Sequence, residues 1–568
     1  MRTILAFFAT ALLVSEAFAH GGVFSPPPGS TPKGGDSPGL PTQPTTPSHS
    51  PGGASSSGGW HTWTTWWGFN RFKYLDFRVR QAERSGPVSG ERTGPVDPHA
   101  WREKVRTKFT PLLLEAIRDR DDEVRMSAAV ALGKWRVKDA VEPLKKMRVK
   151  DNTEQTREAG LLGLILMRDP SLFEYLKGIV EDRKEKDRMR GYALLGIGMI
   201  GDEAARDYIF SLLDSKSRKG RRVLPRAENK RRALLCAGIA GLAHERDAKL
   251  GERFLDVARD KRLVPEVRAY ALAAAGKVGA AELAPAVAEI LKRNQHKEIR
   301  QSAAVALGGL GTPDEAAIKA LDHGLRTDRD RIVNHFSAIS LGQIGGPRAF
   351  KVLAKRYRRA NKEARGFYLI AFGLCRESGA VPILEKVIRT SGSANDRAAA
   401  ALALGLYDDK KNREIVRKTF ASAKDWLLLE STMVSLGLLD DKVSADPIKD
   451  VLITKKMPSV RSSAALSYAL LRQWRAVTVF TDIISTARSV QTLSTVSQIM
   501  GYLPSEKAAE PLAKLCRDKQ LQRQVRGFAV VALGALGDPE PLPILVRLAF
   551  YMNYMIPADP VDQVVTML

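Results

Sequence analysis

The side chains best suited to binding chemistry are concentrated in one basic segment, residues 215–232, with the sequence SKSRKGRRVLPRAENKRR. Nine lysines and arginines stand there against one glutamate. Like charges in so short a segment repel one another, and a polyanionic partner would relieve that repulsion. We interpret the segment as a polyanion-binding site, with a merely solvated loop as the alternative. The predicted binding residues are Lys216, Arg218, Lys219, Arg221, Arg222, Arg226, Lys230 and Arg231.

A second candidate is the aromatic segment GGWHTWTTWWGFNRFKYLDFRVR, residues 58–80. It contains Trp60, Trp63, Trp66 and Trp67, and the spacing places three of these four indoles along one face of a helix. One interpretation is an aromatic surface for sugars, a membrane interface or a partner protein. The other, which we favour because the segment precedes a repeat array, is a cap that covers the apolar face of the first repeat.

Catalytic and metal-binding motifs are not evident in the sequence. One His-Glu pair occurs, His244 and Glu245, and a single pair cannot build a two-metal site. The cysteines Cys236, Cys375 and Cys516 lie in apolar helical patterns, which indicates buried thiols rather than a disulfide framework. No phosphate loop, nucleophile elbow or zinc spacing is present. We expect no catalytic residue, no metal site and no cofactor, and we do not expect an enzyme.

An internal repeat must position these candidates. Stretches such as DDEVRMSAAVALG (121–133) and HKEIRQSAAVALG (296–308) recur along the chain. We take the basic residue of each stretch, such as Arg125 and Arg300, as the marker position of its unit. Glycine stands eight residues after the marker position in eleven of the thirteen units. Each unit reads as a small-residue helix, a short turn and a second, aliphatic helix. The small residues allow close helix approach, and the glycine is expected to let the chain reverse. The markers are Arg125, Arg157, Arg190, Lys230, Arg268, Arg300, Asn334, Arg365, Arg397, Leu429, Arg461, Leu493 and Arg526.

This pattern resembles the short HEAT repeat, the kind also found in phycobilisome lyases, over roughly residues 100–550. The resemblance implies an all-α fold. The expected architecture is an α-α superhelix, that is, a HEAT-like solenoid of about thirteen two-helix repeats, and we expect it to be elongated. It says little about function, because HEAT arrays act mainly as scaffolds, and it implies no chromophore chemistry.

Charges recur in register with the repeats. Acidic residues stand just upstream of many marker arginines, such as Asp122 before Arg125, and we expect such pairs to tie successive units together. Turns before the first helices are basic and turns on the opposite edge are acidic, as at Asp202 and Asp314. About half of this asymmetry is expected from helix dipoles, which favour anions at N-termini and cations at C-termini.

The N-terminal segments indicate export. Arg2, a short apolar run and small residues at Ala17 and Ala19 predict a signal peptide over residues 1–19. Residues 20–59 are rich in Pro, Gly, Ser and Thr and predict a disordered linker. No later stretch reaches the 18 or so apolar residues that a transmembrane helix needs. We divide the remainder into a Trp-rich N-terminal cap (60–100), the HEAT-repeat solenoid (101–550) and a C-terminal cap (551–568).

The functional prediction is a secreted, non-catalytic binding scaffold that mediates protein–protein interactions in the periplasm or the extracellular medium. The alternative is an adaptor that binds an anionic polysaccharide or membrane surface through the basic segment. The net charge, 89 − 63 = +26, fits a polyanionic partner. We do not expect nucleic acid, because the protein is predicted to be exported and no aromatic side chain interleaves the basic segment to stack bases. The protein partner stays unidentified.

Overall fold

The computed structural model describes residues 62–75 and 100–539, apart from residues 245–246, 456, 487–489 and 504. This part of the chain forms 28 α-helices, numbered here α1 to α28 in chain order. The predicted signal peptide, linker, C-terminal cap and Trp60 all lie outside the described residues. The predicted all-α superhelix is confirmed.

Thirteen first helices, one per predicted repeat, begin two or three residues before their marker positions. The central residues of these helices, such as 398–406, are buried without interruption. This is expected for helices that are apolar on all sides. The first helices are α3 (Asp122–Lys134), α5 (Glu154–Leu166), α7 (Asp187–Ile200), α10 (Glu228–Leu242), α12 (Pro265–Val278), α14 (Lys297–Leu310), α16 (Arg331–Ile344), α18 (Lys362–Cys375), α20 (Ala394–Tyr407), α22 (Trp426–Leu438), α24 (Pro458–Leu471), α26 (Val490–Tyr502) and α28 (Arg523–Leu536).

Second helices pack against the first helices with one apolar stripe and leave their charged residues exposed. They are α4 (Val141–Lys150), α6 (Phe173–Glu181), α8 (Glu203–Leu213), α11 (Lys249–Arg259), α13 (Ala284–Arg293), α15 (Glu315–Thr327), α17 (Gly346–Tyr357), α19 (Ala380–Thr390), α21 (Arg413–Ser422), α23 (Ala445–Thr454), α25 (Gln473–Thr486) and α27 (Ala509–Arg517). The other three helices are α1 (Trp63–Tyr74), α2 (Ala100–Ala116) and α9 (Arg218–Val223).

The array is closed rather than elongated. Each first helix contacts the next, and the last of them, α28, packs against the first, α3. At this seam Trp135 Nε1 donates to the carbonyl oxygen of Gly534 at 2.8 Å, and Gly534 faces Ala131 so closely that an added Cβ would lie 2.7 Å from the alanine methyl carbon. Helix α2 contacts both α3 and α27, so it completes the second-helix layer at the seam. Thirteen first helices therefore form the inner wall of a ring.

The repeated glycine has a different role from the one expected. Gly276 and Gly373 lie inside their helices, and a Cβ on either would overlap the backbone of Ala306 or Ala403 on the next first helix. The chain reverses a few residues later, at positions with left-handed backbone such as Gly279 (φ 81°). The glycine is therefore needed for close packing between first helices rather than for the reversal.

The marker arginines tie repeats together, as expected, but mostly through other partners. Arg125 donates to Asp151 at 2.8 and 3.0 Å, in the loop before the next first helix, rather than pairing with the predicted Asp122. It also donates to the carbonyl oxygen of Asp119 at 2.9 Å. The guanidinium of Arg125 faces the loop before the next first helix, and it does not face the start of its own helix. The side chain therefore joins two successive repeats. The seam repeats this contact, with Arg526 bound to Asp119 and to Asp121, the latter at 2.9 Å.

The acidic edge is explained largely by helix capping. Asp202 and Asp314 are the N-cap residues of α8 and α15, and each accepts a hydrogen bond of 2.8 Å from a backbone N–H in the first turn. Such caps stabilise a helix by roughly 0.5–2 kcal/mol. Asp202 and Asp314 therefore stabilise the helices that they cap.

Candidate functional site

The basic segment is held on the ring by a short helix instead of forming a free loop. Ser217 caps α9 by accepting a hydrogen bond from the N–H of Gly220, and Gly220, Val223 and Leu224 are buried. The carbonyl oxygen of Val223 accepts a hydrogen bond of 2.6 Å from Arg190 on α7. The apolar side of α9 therefore fixes the orientation of its cationic side.

The cations of this segment fall into two groups. Lys230 forms an ion pair of 2.7 Å with Asp187, and Lys219 lies 4.3 Å from the ring centroid of Tyr208. Lys216 lies close enough to Asp260 for their charges to interact. The other predicted residues have no carboxylate partner among the residues that the structure describes, and most of them are exposed: Arg218, Arg221, Arg222, Arg226 and Arg231.

Five arginines held close together without neutralising carboxylates raise the local electrostatic potential. The backbone beneath them is also used by neighbouring side chains, since Arg183 Nε donates to the carbonyl oxygen of Arg222 at 3.0 Å. The result is an anchored, positively charged ridge on the edge where second helices end and first helices begin. Binding of a polyanion by this ridge stays a prediction.

The Trp-rich helix α1 lies against the inner wall, far from the first repeat. Trp63 Nε1 donates to Asn395 Oδ1 at 2.9 Å, and its indole packs on Gly366 of α18, where any Cβ would overlap the ring. These contacts belong to the eighth and ninth repeats. The predicted cap on the first repeat is therefore wrong for α1. Closure of the ring gives α1 a concave wall of small residues, and the helix packs there instead.

Burial also excludes an open aromatic surface at the described tryptophans. Trp63, Trp66 and Trp67 are 2%, 3% and 8% exposed. Tyr74 stacks on Trp67 with ring centroids 6.1 Å apart. These indoles are covered inside the ring, so sugars or lipids cannot reach them in this conformation.

A buried pair of opposite charges lies where α1 meets α22. Burial raises the pKa of Glu430 to about 7, and the nearby Ser459 and Arg71 offset this only in part. Burial lowers the pKa of Arg71 to about 9, which leaves its guanidinium charged at neutral pH. This pair was not predicted from the sequence. Its signal was the lone glutamate in the apolar run WLLLESTMVSLGL, because a buried acid needs a partner.

The remaining chemical candidates are structural. Burial raises the pKa of the thiols of Cys375 and Cys516 to about 12, and it raises that of Cys236 as well, so all three are poor nucleophiles near neutral pH. His244 Nε2 lies 2.6 Å from Arg168 Nη1. Within the described ranges no group of three or more His, Cys, Asp or Glu residues could hold a metal ion, and no helix there is long and apolar enough to cross a membrane.

One comparison with known protein families supports this architecture. Residues 252–335 match the profile of the HEAT repeats family, which supports HEAT-type repeats in that part of the chain. Among solved structures, human deoxyhypusine hydroxylase in complex with glycerol aligns at 19% identity over 49% of this chain and 99% of its own, with a TM-score of 0.22. An engineered protein aligns at 16% identity over 75% and 98%, with a TM-score of 0.25. The search of curated proteins gave no match.

The fold defines the class: the protein is an all-α superhelix of HEAT-like repeats. The low TM-scores mean that neither solved structure bears on what this particular chain does.

Proposed function

We propose that the protein is a non-catalytic scaffold that binds other proteins outside the cytoplasm. HEAT repeats commonly serve as protein-interaction scaffolds, and residues 252–335 match that family. The observation that carries the proposal is the ridge on α9, where arginines without carboxylate partners project from a helix fixed to the ring. The partner that fits this ridge is a protein with an acidic surface.

Because the ring is closed, we expect a partner protein to bind on its edges or on its outer, second-helix layer. The inner wall is packed in its central region, and α1 lies against it at the eighth and ninth repeats. The edges and the second-helix layer are the parts that expose charged side chains. A partner that binds without rearranging the ring must use these exposed parts, and the ridge on α9 is their most strongly charged stretch.

Secretion is part of the proposal and rests on the sequence pattern of residues 1–19. Protein isolated from the periplasm or the medium should begin at His20 when its N-terminus is sequenced. Recovery of the uncleaved chain, starting at Met1, from the cytoplasm would contradict it. We infer no chromophore chemistry from the similarity of the repeats to those of phycobilisome lyases.

Replacing four cations of the ridge tests the scaffold proposal. The variant R218S/K219S/R221S/R222S should lose the partners that the wild-type protein retains from an envelope or secreted fraction. Its matched control is K351S/K355S/R358S/R359S, which removes four exposed cations from the end of α17 and the loop after it. Equal retention of the same partners by both variants would contradict a role for the ridge.

The second candidate is an adaptor for an anionic polysaccharide or a membrane surface. The clustering of five unneutralised arginines favours it, because a polyanion satisfies several of them at once. Retention on immobilised heparin, or on vesicles that contain anionic lipid, should fall steeply with salt. Binding that survives the fourfold serine change would end this candidate. A co-purified acidic protein with no polyanion retention would favour the first proposal.

A further inference from the structure

A cleft of about 570 Å³ opens at the seam of the ring. The C-terminal half of α2 and the loop after it form one side, and the loop between α27 and α28 forms the other. Its volume falls in the range of small-molecule sites, roughly 300–1,000 Å³. The cleft therefore joins residues from opposite ends of the chain around one space.

Cations dominate the lining of the cleft. Arg118, Arg120 and Lys519 are exposed, and none of the three has a hydrogen-bonded carboxylate partner among the described residues. Glu115 is the acid that faces them, so these four side chains sum to 3 − 1 = +2. Three cations around one space repel each other, and an anion between them removes that repulsion.

The remaining charges of the lining cancel each other. Asp119 and Arg526 both line the cleft, and they are ion-paired with each other. Arg526 also donates to Asp121 at 2.9 Å. The negative charge of Asp119 that an incoming anion meets is offset by Arg526, which Asp121 shares, and by the nearby Lys519.

The lining also contains an apolar part. Pro111 and Leu114, on the same helix as Glu115, line the cleft beside the cations. An apolar group of a ligand would lie there while its charged head contacts the arginines and the lysine. Guanidinium groups bind carboxylate and phosphate with short, charge-assisted hydrogen bonds.

We propose that the seam cleft binds a small organic anion, a carboxylate or phosphate with an apolar body, and that the bound ligand links the first repeat to the last. This site is separate from the ridge on α9, which lies between the third and fourth repeats. Because the ligand contacts both ends of the array, it stabilises the closed ring over an open one by mass action.

Isothermal titration with three probes at physiological salt tests the site. Phenyl phosphate should bind more tightly than inorganic phosphate, because only phenyl phosphate can use Pro111 and Leu114. Benzoate distinguishes a carboxylate head from a phosphate head. The variant R118A/R120A should lose at least tenfold in affinity for the probe that binds best, and that probe should raise the melting temperature of the wild-type protein but not of this variant.

The matched control is R358A/R359A, which removes two exposed arginines from a loop at another repeat junction. If R358A/R359A and R118A/R120A weaken binding equally, the anion is held non-specifically and the proposal is wrong. It is also wrong if no probe binds the wild-type protein. If R118A/R120A fails to fold, K519A provides the same test. Heparin retention by R118A/R120A should stay at the wild-type level, which separates this site from the ridge on α9.

Discussion

Replacing Arg526 with alanine should open the ring at its seam. The side chain is 3% exposed and donates to Asp121 at 2.9 Å, to Asp119 Oδ1 at 3.3 Å and to the carbonyl oxygen of Cys516 at 3.2 Å. The side chains of Asp119 and Asp121 are 13% and 24% exposed, respectively, so water screens their charges only in part. Breaking a buried pair costs about 3–5 kcal/mol and an exposed pair about 0–1, so we expect R526A to lose about 2–3 kcal/mol.

The matched control is R300A. Arg300 donates to Asp328 at 2.6 and 3.0 Å and to the carbonyl oxygens of Asn294 and Gln295, so it makes the same kind of contact at an internal junction. The repeats on either side of Arg300 are also joined by the chain, whereas the two ends at the seam are joined only by non-covalent contacts. Loss of the contact at the seam therefore releases more of the structure.

Urea unfolding followed by circular dichroism would give the loss of free energy, and amide hydrogen exchange would locate it. In R526A, exchange should accelerate in both α3 and α28, although these helices lie at opposite ends of the described array. In R300A it should accelerate in α14 and α16 only. If α3 in R526A exchanges as slowly as in the wild-type protein, Arg526 does not couple the two ends of the array, and the prediction is wrong.

Three further predictions concern buried groups of the ring. G366A should cost about 1–3 kcal/mol and shift the tryptophan fluorescence, because the new methyl overlaps Trp63, whereas G392A has open space around it and should be nearly neutral. The pKa of Glu430 is raised from 4.5 to about 7, so the folded protein holds this proton at pH values where the unfolded chain has released it. The free energy of unfolding should therefore be highest below pH 4.5 and should fall, by up to about 3 kcal/mol, as the pH rises through about 7. Urea unfolding across this window should show a flatter profile for E430Q, and an unchanged profile would contradict the assignment. The buried thiols should react with a thiol reagent only after unfolding, and rapid labelling of the native protein would disprove their burial: Cys236, Cys375 and Cys516.

The repeat architecture was predictable because its signal is local. Small residues at helical spacing around a marker such as Arg300, with Gly308 eight residues later, predict one helix per unit without reference to any other unit. The basic segment was predictable for the same reason, since its charge excess lies within eighteen residues. The role of the glycine was not, because the backbone that it contacts belongs to the neighbouring repeat.

By itself the sequence determined the thirteen helical units, their order and the basic segment at residues 215–232. The tertiary structure decided that the array closes, that α1 packs on Gly366 instead of capping α3, and that a cationic cleft exists at the seam. Closing thirteen repeats into a ring needs a rotation of about 28° per repeat. That rotation depends on how neighbouring units pack, and the small differences add up around the ring, so no single repeat contains the information.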